Sequence, residues 1–347
     1  MVMMLANCLL LSLTVVEALE LSNTHIPMTN RRSLLKIAMP GTMVLLPFPR
    51  PQQSSAMWQL WFPSDMLNYV KRYAEEGSPS SVLEAMDKAA ETSWMMNMGA
   101  EKGEVLENLL LKRYSSRANE VLPPATKVLE LGTFCGYSTI RIARSLPSRA
   151  VVVTIEKDPE TYKVAREIIG RAGLLPEVEE YKHYSRAGKH ATVEMYLGSS
   201  SEIIPNLRSK YDDGFDFVLM DHWKELYDVD LKALEDNKLV RVNSAVLADN
   251  VKLPGAPRFL EYLYYGKGYF TWDTSIIDIP FEYRPETPDA MTYSVFRTGK
   301  RRADPIVSPR EPCSPVASNS IENRVDRLIC EALMNSPNDG RGSATGG

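Results

Sequence analysis

Between Pro63 and about residue 300 the apolar positions follow two periods in turn. Spacings of three and four predict amphipathic helices over Asp65–Ala74, Ser80–Ser93 and Glu101–Tyr114. Ser78-Pro79-Ser80-Ser81 supplies an N-cap region for the second of them. Short apolar runs rich in β-branched residues then predict strands at Lys127–Leu131, Val151–Ile155, Val193–Leu197, Phe215–Met220 and Ala245–Ala248. Helical patterns at Thr139–Leu146, Glu160–Ala172, Ser200–Lys210 and Val229–Leu239 separate most of them. Such alternation predicts an α/β fold with a parallel sheet covered on both faces. Tyr269–Ile277 and Met291–Arg297 read as a closing antiparallel pair, and the polar stretch from Glu179 through His190 as a surface insertion.

Two of the strand runs stop abruptly at a carboxylate. Phe215-Asp216-Phe217-Val218-Leu219-Met220 ends at Asp221, and Ala245-Val246-Leu247-Ala248 at Asp249-Asn250. The C-terminal edge of an open α/β sheet is where ligands bind. Adjacent strand ends would bring Asp221, Asp249 and Asn250 to one rim, a hard-oxygen set suited to Mg²⁺. Lys224 could reach the same spot as a base. Each residue taken singly has a plainer role. A strand-terminal Asp usually caps a helix or turn, a lone lysine is usually solvated, and Trp94, Trp223 and the methionines around Met98 could be core or rim side chains. Joint placement at one end of one sheet is what favours a metal-assisted enzyme.

Glu130-Leu131-Gly132-Thr133-Phe134-Cys135-Gly136 leaves the first strand and opens a helix. Its glycines allow a tight turn and close approach of backbone to a ligand. The pattern is not the GxGxxG of dinucleotide enzymes. An acid just before the loop would repel a phosphate and suits a cationic ligand. S-adenosylmethionine has an ammonium, a sulfonium and no phosphate. Glu156, ending the second strand, is placed to accept from both ribose hydroxyls.

The flanks differ from this core. Met1 to Leu19 is apolar but interrupted by Asn7 and Glu17, and shorter than the ~20 residues of a membrane-spanning helix. Asn30-Arg31-Arg32-Ser33-Leu34-Leu35-Lys36, the apolar Met43-Val44-Leu45-Leu46 and Ser54-Ser55-Ala56 follow, in the style of a twin-arginine export signal. Residues 1–56 are therefore expected to be a targeting leader, secretory or plastid/thylakoid, or else a disordered extension of a cytoplasmic protein. Residues 57–300 form the expected catalytic domain, and the Ser/Pro/Asn/Gly-rich 301–347 a disordered tail. A net charge of −4 and the lack of a dense Lys/Arg cluster argue against a nucleic-acid partner. Of the four cysteines only Cys135 falls in the expected core, and the four histidines show no ligand spacing, so no disulfide or Cys/His metal site is expected there.

Several blocks together resemble the catechol O-methyltransferase family across about residues 69–299. They are Ser81-Val82-Leu83-Glu84-Ala85, Trp94-Met95-Met96-Asn97-Met98-Gly99, Leu129-Glu130-Leu131-Gly132 with Cys135-Gly136-Tyr137-Ser138, Asp221-His222-Trp223-Lys224, and Leu247-Ala248-Asp249-Asn250-Val251 with Pro254-Gly255. The resemblance implies a Rossmann-like class I methyltransferase with a mostly parallel seven-stranded sheet, using S-adenosylmethionine and Mg²⁺. It implies a monomer acting on a small-molecule catechol, with no nucleic-acid partner and no membrane span in the catalytic domain. By the same resemblance Asp221, Asp249 and Asn250 would hold Mg²⁺, and Lys224 would be the general base, its pKa lowered by burial and by the cation. Glu282 would meet the second catechol hydroxyl, with Asn250 and Lys224 also at the substrate. Met98, Glu130, Tyr137, Ser138 and Glu156 would surround the methionine and ribose of the cofactor. Ser200, His222 and Trp223 would line the adenine site, Asp221 would also contact the cofactor, and Trp94, Trp223 and Pro254 would wall the ring. Lys157, Ser201, Met98 and Ala100 depart from the family pattern. A related cation-dependent methyltransferase of caffeoyl thioesters or flavonoids is the alternative enzyme, and a non-catalytic binding protein of the same fold the alternative class.

Overall fold

In the computed structural model, residues 62–92, 95–115, 126–176, 190–297 and 321–335 are described. Three helices lead in: α1 (Pro63–Tyr73), α2 (Pro79–Thr92) and α3 (Gly99–Ser115). The alternating part runs β1 (Lys127–Leu131), α4 (Tyr137–Ser145), β2 (Val151–Glu156), α5 (Pro159–Arg171), β3 (Thr192–Leu197), α6 (Ser200–Leu207), β4 (Phe215–Met220), α7 (Tyr227–Asp236) and β5 (Val240–Ala248). After it come α8 (Pro257–Tyr264), a short α9 (Gly268–Thr271), β6 (Trp272–Phe281), β7 (Arg284–Phe296) and α10 (Ile321–Asn335). The strands form one seven-stranded sheet in the order β3-β2-β1-β4-β5-β7-β6. All pairings from β3 to β5 are parallel, and β7 is antiparallel to both β5 and β6.

Alternation along each strand explains the two layers. Val128, Val152, Val193, Phe217, Leu219 and Leu247 face one apolar layer with α1 to α5. Leu129, Val153, Ile155, Val218, Met220 and Val246 face the other with α6, α7, α8 and α10. All six residues of β4 are buried, as a central parallel strand requires. Helix starts follow local chemistry. Asp158 accepts the Thr161 N–H at 2.7 Å with Pro159 in the first turn of α5, and Ser199 and Glu202 cap α6 reciprocally. Ser78 Oγ accepts the Ser81 N–H, as its N-cap position predicts.

The expected elements are present, with differences at the C-terminal side. Residues Gly268–Thr271 turn as α9, so β6 begins at Trp272 and extends past the expected end to Phe281. Pro280, Pro285 and Pro288 lie in or beside the β6–β7 hairpin, at the sheet edge where prolines are tolerated. Within the stretch expected to be disordered, Ile321–Asn335 is a helix whose Val325, Leu328, Ile329 and Ala332 join the second apolar layer. Their three-and-four spacing is the physical reason, since a stripe of that period finds a partner despite polar flanks. The helix belongs to the same compact unit, Trp58–Gly347, as the sheet. The leader, Trp94, and most of the Glu179–His190 stretch lie outside the described residues. Among the described residues no helix is long and apolar enough to cross a membrane.

Phe217 lies on the central strand and is 1% exposed, so truncation leaves a void in close-packed surroundings. Phe217→Ala should cost about 3–5 kcal/mol of unfolding free energy, read from denaturant melts of the ligand-free protein.

Candidate active site

The sheet ladder sets the rim. The Asp221 N–H donates to the Leu131 carbonyl, and the Asp249 N–H to the Met220 carbonyl, each at 3.0 Å. The ends of β1, β4 and β5 are thereby stepped side by side, and the β6–β7 turn bearing Glu282 reaches the same edge because β6 runs parallel to β5. Gly132 allows the closest approach. At φ +95°, a Cβ there would lie 2.4 Å from the Asp221 carbonyl oxygen.

At the β5 end sits a buried ionic cluster. Lys102 of α3, 1% exposed, places Nζ 2.8 Å from Asp249 Oδ1, 2.5 Å from Glu282 Oε1 and 2.7 Å from Asp289 Oδ2. Burial opposes its charge, but the three carboxylates outweigh burial and hold the ammonium above the ordinary lysine range. With more acids than cations, Glu282 is pushed up to about 8 by burial and then by Asp249, against the pull of Lys102. The side-chain amide of Asn250 donates from Nδ2 to Glu282 Oε1 and Asp289 Oδ2, both at 2.8 Å. Two carboxylate acceptors fix the amide's sense, leaving Asn250 Oδ1 as its open atom. Asp249 Oδ1 is taken by Lys102 and the Asn250 N–H, whereas its Oδ2 is buried without a partner.

Lys224 follows in a 3₁₀ turn, Lys224–Leu226. Its Nζ donates to Asp221 Oδ1 at 2.9 Å and to the Tyr227 hydroxyl at 2.8 Å. That hydroxyl in turn donates to the Met220 carbonyl at 2.7 Å. Asp221 is raised to about 6 by burial, opposed by Lys224 and supported by Asp249. At Lys224 the depression expected from burial is outweighed by neighbouring charge. Burial does lower it, but Asp221 and Asp249 outweigh burial, so the pKa is raised and the group is an ammonium.

The orphaned Asp249 Oδ2, with Asn250 Oδ1 and the Asp221 carboxylate, is a hard-oxygen set of the kind Mg²⁺ takes. The residues fit the cation. Asp249 also belongs to a second acidic group, in which oxygens of Asp249, Glu282 and Asp289 lie within 4.8 Å of one another. Its centre is where Lys102 sits.

At the cofactor loop, Glu130 is fully buried. Its Oε2 accepts from Thr139 Oγ1 and from Thr154 Oγ1 at 2.6 Å, while Oε1 has no partner. A buried carboxylate oxygen without a donor fits a cationic ligand, as expected of an S-adenosylmethionine site. Glu156 is held through both oxygens by the N–H groups of Phe134 and Asp158, each at 2.9 Å. Ser138 is buried in the first turn of α4. Tyr137 is buried, and its hydroxyl donates to Asp87 at 2.7 Å while accepting from Arg141 at 2.9 Å. Met98 is buried beside Gly99. Ser200 opens α6 after β3, at the same sheet edge. His222 pairs its Nε2 with Asp230 at 2.6 Å, stacks on Tyr227 at 5.0 Å and leaves Nδ1 buried and unpartnered. Trp223 is 64% exposed, and Pro254 is exposed as well.

The sequence reading missed Lys102, Asp289, Tyr227 and Asp230. For Lys102 a signal existed. It shares the buried stripe of α3 with Leu106 and Leu110, where a lysine has no place without a partner.

The sequence profile described as "O-methyltransferase" matches residues 79–256. The chain belongs to the O-methyltransferase family. It is 37% identical to catechol O-methyltransferase B of Danio rerio over 209 residues, 60% of this chain and 70% of that protein. It is 39% identical to the transmembrane O-methyltransferase of Homo sapiens over 197 residues, 56% of this chain and 60% of that protein. A solved structure of an O-methyltransferase from Streptomyces achromogenes involved in tomaymycin synthesis, in complex with SAM, aligns with a TM-score of 0.48 and 24% identity. That alignment covers 67% of this chain and 96% of that one. The family is one of S-adenosylmethionine-dependent enzymes with the class I fold, and the observed seven-stranded sheet agrees with it.

Burial pushes Glu130 up to about 7, with its hydroxyl partners pulling it down and Asp221 adding to the rise. In the unfolded chain the group ionises near 4.5. Within that window the folded protein keeps a proton that the unfolded chain gives up, so stability falls as pH rises, by about 3 kcal/mol for this group. Glu130→Gln should therefore gain on the parent in unfolding free energy as the pH is raised through the window. Calorimetry should show its affinity for S-adenosylmethionine to be lower by about tenfold.

Proposed function

We propose that this O-methyltransferase moves the methyl group of S-adenosylmethionine to one hydroxyl of a catechol in a Mg²⁺-dependent reaction. The observation that supports it best is the buried, unpartnered Asp249 Oδ2, next in the chain to Asn250, whose Nδ2 is engaged by two carboxylates. When bound, the cation would lower the pKa of a hydroxyl held there, and the sulfonium would supply the methyl carbon. Glu282 feels the charge of Asp221, and its carboxyl, raised to about 8, can share a hydrogen bond with a second hydroxyl. This pairing favours two adjacent hydroxyls over one. Trp223 and Pro254 would flank the ring, together with Trp94.

Lys224 is held at Nζ by Asp221 and Tyr227, which fix its direction. It can accept the hydroxyl proton only when the charge of Asp221 and Asp249 is neutralised, because that charge keeps the ammonium protonated against burial. The Tyr227 hydroxyl, anchored on the Met220 carbonyl, keeps Nζ in place in either state. Positioning and exclusion of water supply much of the remaining rate, because opposite charges are lost as the C–O bond forms and the C–S bond breaks.

Transfer from labelled S-adenosylmethionine to a simple catechol should occur with Mg²⁺ and vanish with EDTA. Asp221→Ala should lose at least about 10²-fold in rate while still binding S-adenosylmethionine. Persistent transfer in EDTA would remove the metal reading, and transfer to a caffeoyl thioester but not to a catechol would move the substrate to the phenolic alternative. Lys224→Met should lower kcat by about 10²–10⁴-fold with little change in the KM for S-adenosylmethionine.

A further inference from the structure

The Asp249–Glu282–Asp289 group has the geometry of a metal site, with carboxylate oxygens within 4.8 Å of one another and all three residues buried. Its centre holds an ammonium. Lys102 Nζ is within hydrogen-bond distance of an oxygen from each acid, at 2.8, 2.5 and 2.7 Å. The lysine stem comes from the buried stripe of α3, and Gly103 beside it packs against the Arg141 side chain. Three long-range contacts to β5, the β6–β7 turn and β7 leave Nζ little freedom.

We propose that Lys102 is a built-in cation that excludes a divalent ion from the Asp249–Glu282–Asp289 triad. It thereby confines that ion to Asp221, Asp249 Oδ2 and Asn250 Oδ1, which makes it a positioning residue for the metal. The inference rests on the cation position proposed above. Two features of the network follow from it. Lys102 uses only Oδ1 of Asp249 and so leaves Oδ2 for the ion. By sharing Glu282 Oε1 and Asp289 Oδ2 with the Asn250 amide, it also fixes the acceptors that turn Asn250 Oδ1 outward.

Charge balance points the same way. Asp221, Asp249, Glu282 and Asp289 face Lys102 and Lys224, an excess of two negative charges when all are ionised. One divalent cation cancels that excess. Without Lys102 the triad would be an additional set of carboxylate ligands, a hard-oxygen cage better matched to the larger coordination number of Ca²⁺ than to Mg²⁺.

The test is calorimetric titration of the full chain with Mg²⁺ and with Ca²⁺, without S-adenosylmethionine, together with thermal melts in EDTA and in each ion. Lys102→Met should bind Ca²⁺ about tenfold or more tighter than the parent. It should melt lower in EDTA, gain more from Ca²⁺ than the parent does, and show a reduced kcat with Mg²⁺. Asp289→Asn keeps the lysine and removes a carboxylate that is not a ligand in the proposed site. Its ammonium should bear harder on Asp249 and weaken Mg²⁺ binding about fivefold, and this variant decides the matter if Lys102→Met does not fold. Parent-like affinities and EDTA melts in the folded variants would overturn the proposal. A parent that binds no divalent ion, beside a Lys102→Met variant that does, would support the role of Lys102 and sink the Mg²⁺ reading instead.

Discussion

Excess negative charge, buried at the C-terminal edge of the sheet, is the constraint around which this molecule is organised. Carboxylates do not collect in a low-dielectric interior unless something compensates them. Two lysines provide part of that compensation. Lys102 enters from α3 and Lys224 from the turn after β4, so charge pairing ties the N-terminal helices to the end of the sheet. With all four acids ionised, what is left over is two negative charges, the number one divalent cation would cancel, and one carboxylate oxygen of Asp249 is buried without a partner.

The apolar layers make this arrangement possible. Residues alternating along β1, β2 and β4 fill a layer on each face of the sheet, so the ladder holds the strand ends in register to within a hydrogen bond. Functional groups then need no long reach. Glu130 is the last but one residue of its strand, Glu156 the last of its own, and Asp221 and Asp249 directly follow theirs, which is why one edge of adjacent parallel strands can gather all four. Stability is given up locally for this. Glu130 is buried with one oxygen unsatisfied, a cost that a bound cationic ligand would offset. Lys224 shows the same economy in charge: the acids that position it also keep its proton on, so its chemistry is coupled to what neutralises them.

Much of the architecture was determined by local pattern alone. Strands β1 to β4 lie within a residue of their expected limits because a buried parallel strand must be continuously apolar and must stop where the chain turns polar. The same rule placed Asp221, Asp249 and Asn250 at one rim, since parallel neighbours end on one side. The N-cap at Ser78 and the acid before the Gly132 loop were equally readable, each being a matter of a few adjacent residues.

Tertiary structure decided what depends on residues far apart in the chain. Lys102 and Glu282 are separated by 180 positions, and Lys102 and Asp289 by 187, so no window of sequence could show that an α3 lysine fills a carboxylate triad on the β6–β7 side. The sign of the Lys224 shift was likewise undetermined, because burial and two nearby acids act in opposite directions and only their distances choose between them. The C-terminal helix is the third case. Its apolar stripe was present in the sequence among Ser, Pro and Asn, but a stripe becomes an element only when a complementary surface exists, and that surface is built by α8 and the turn after Asn250.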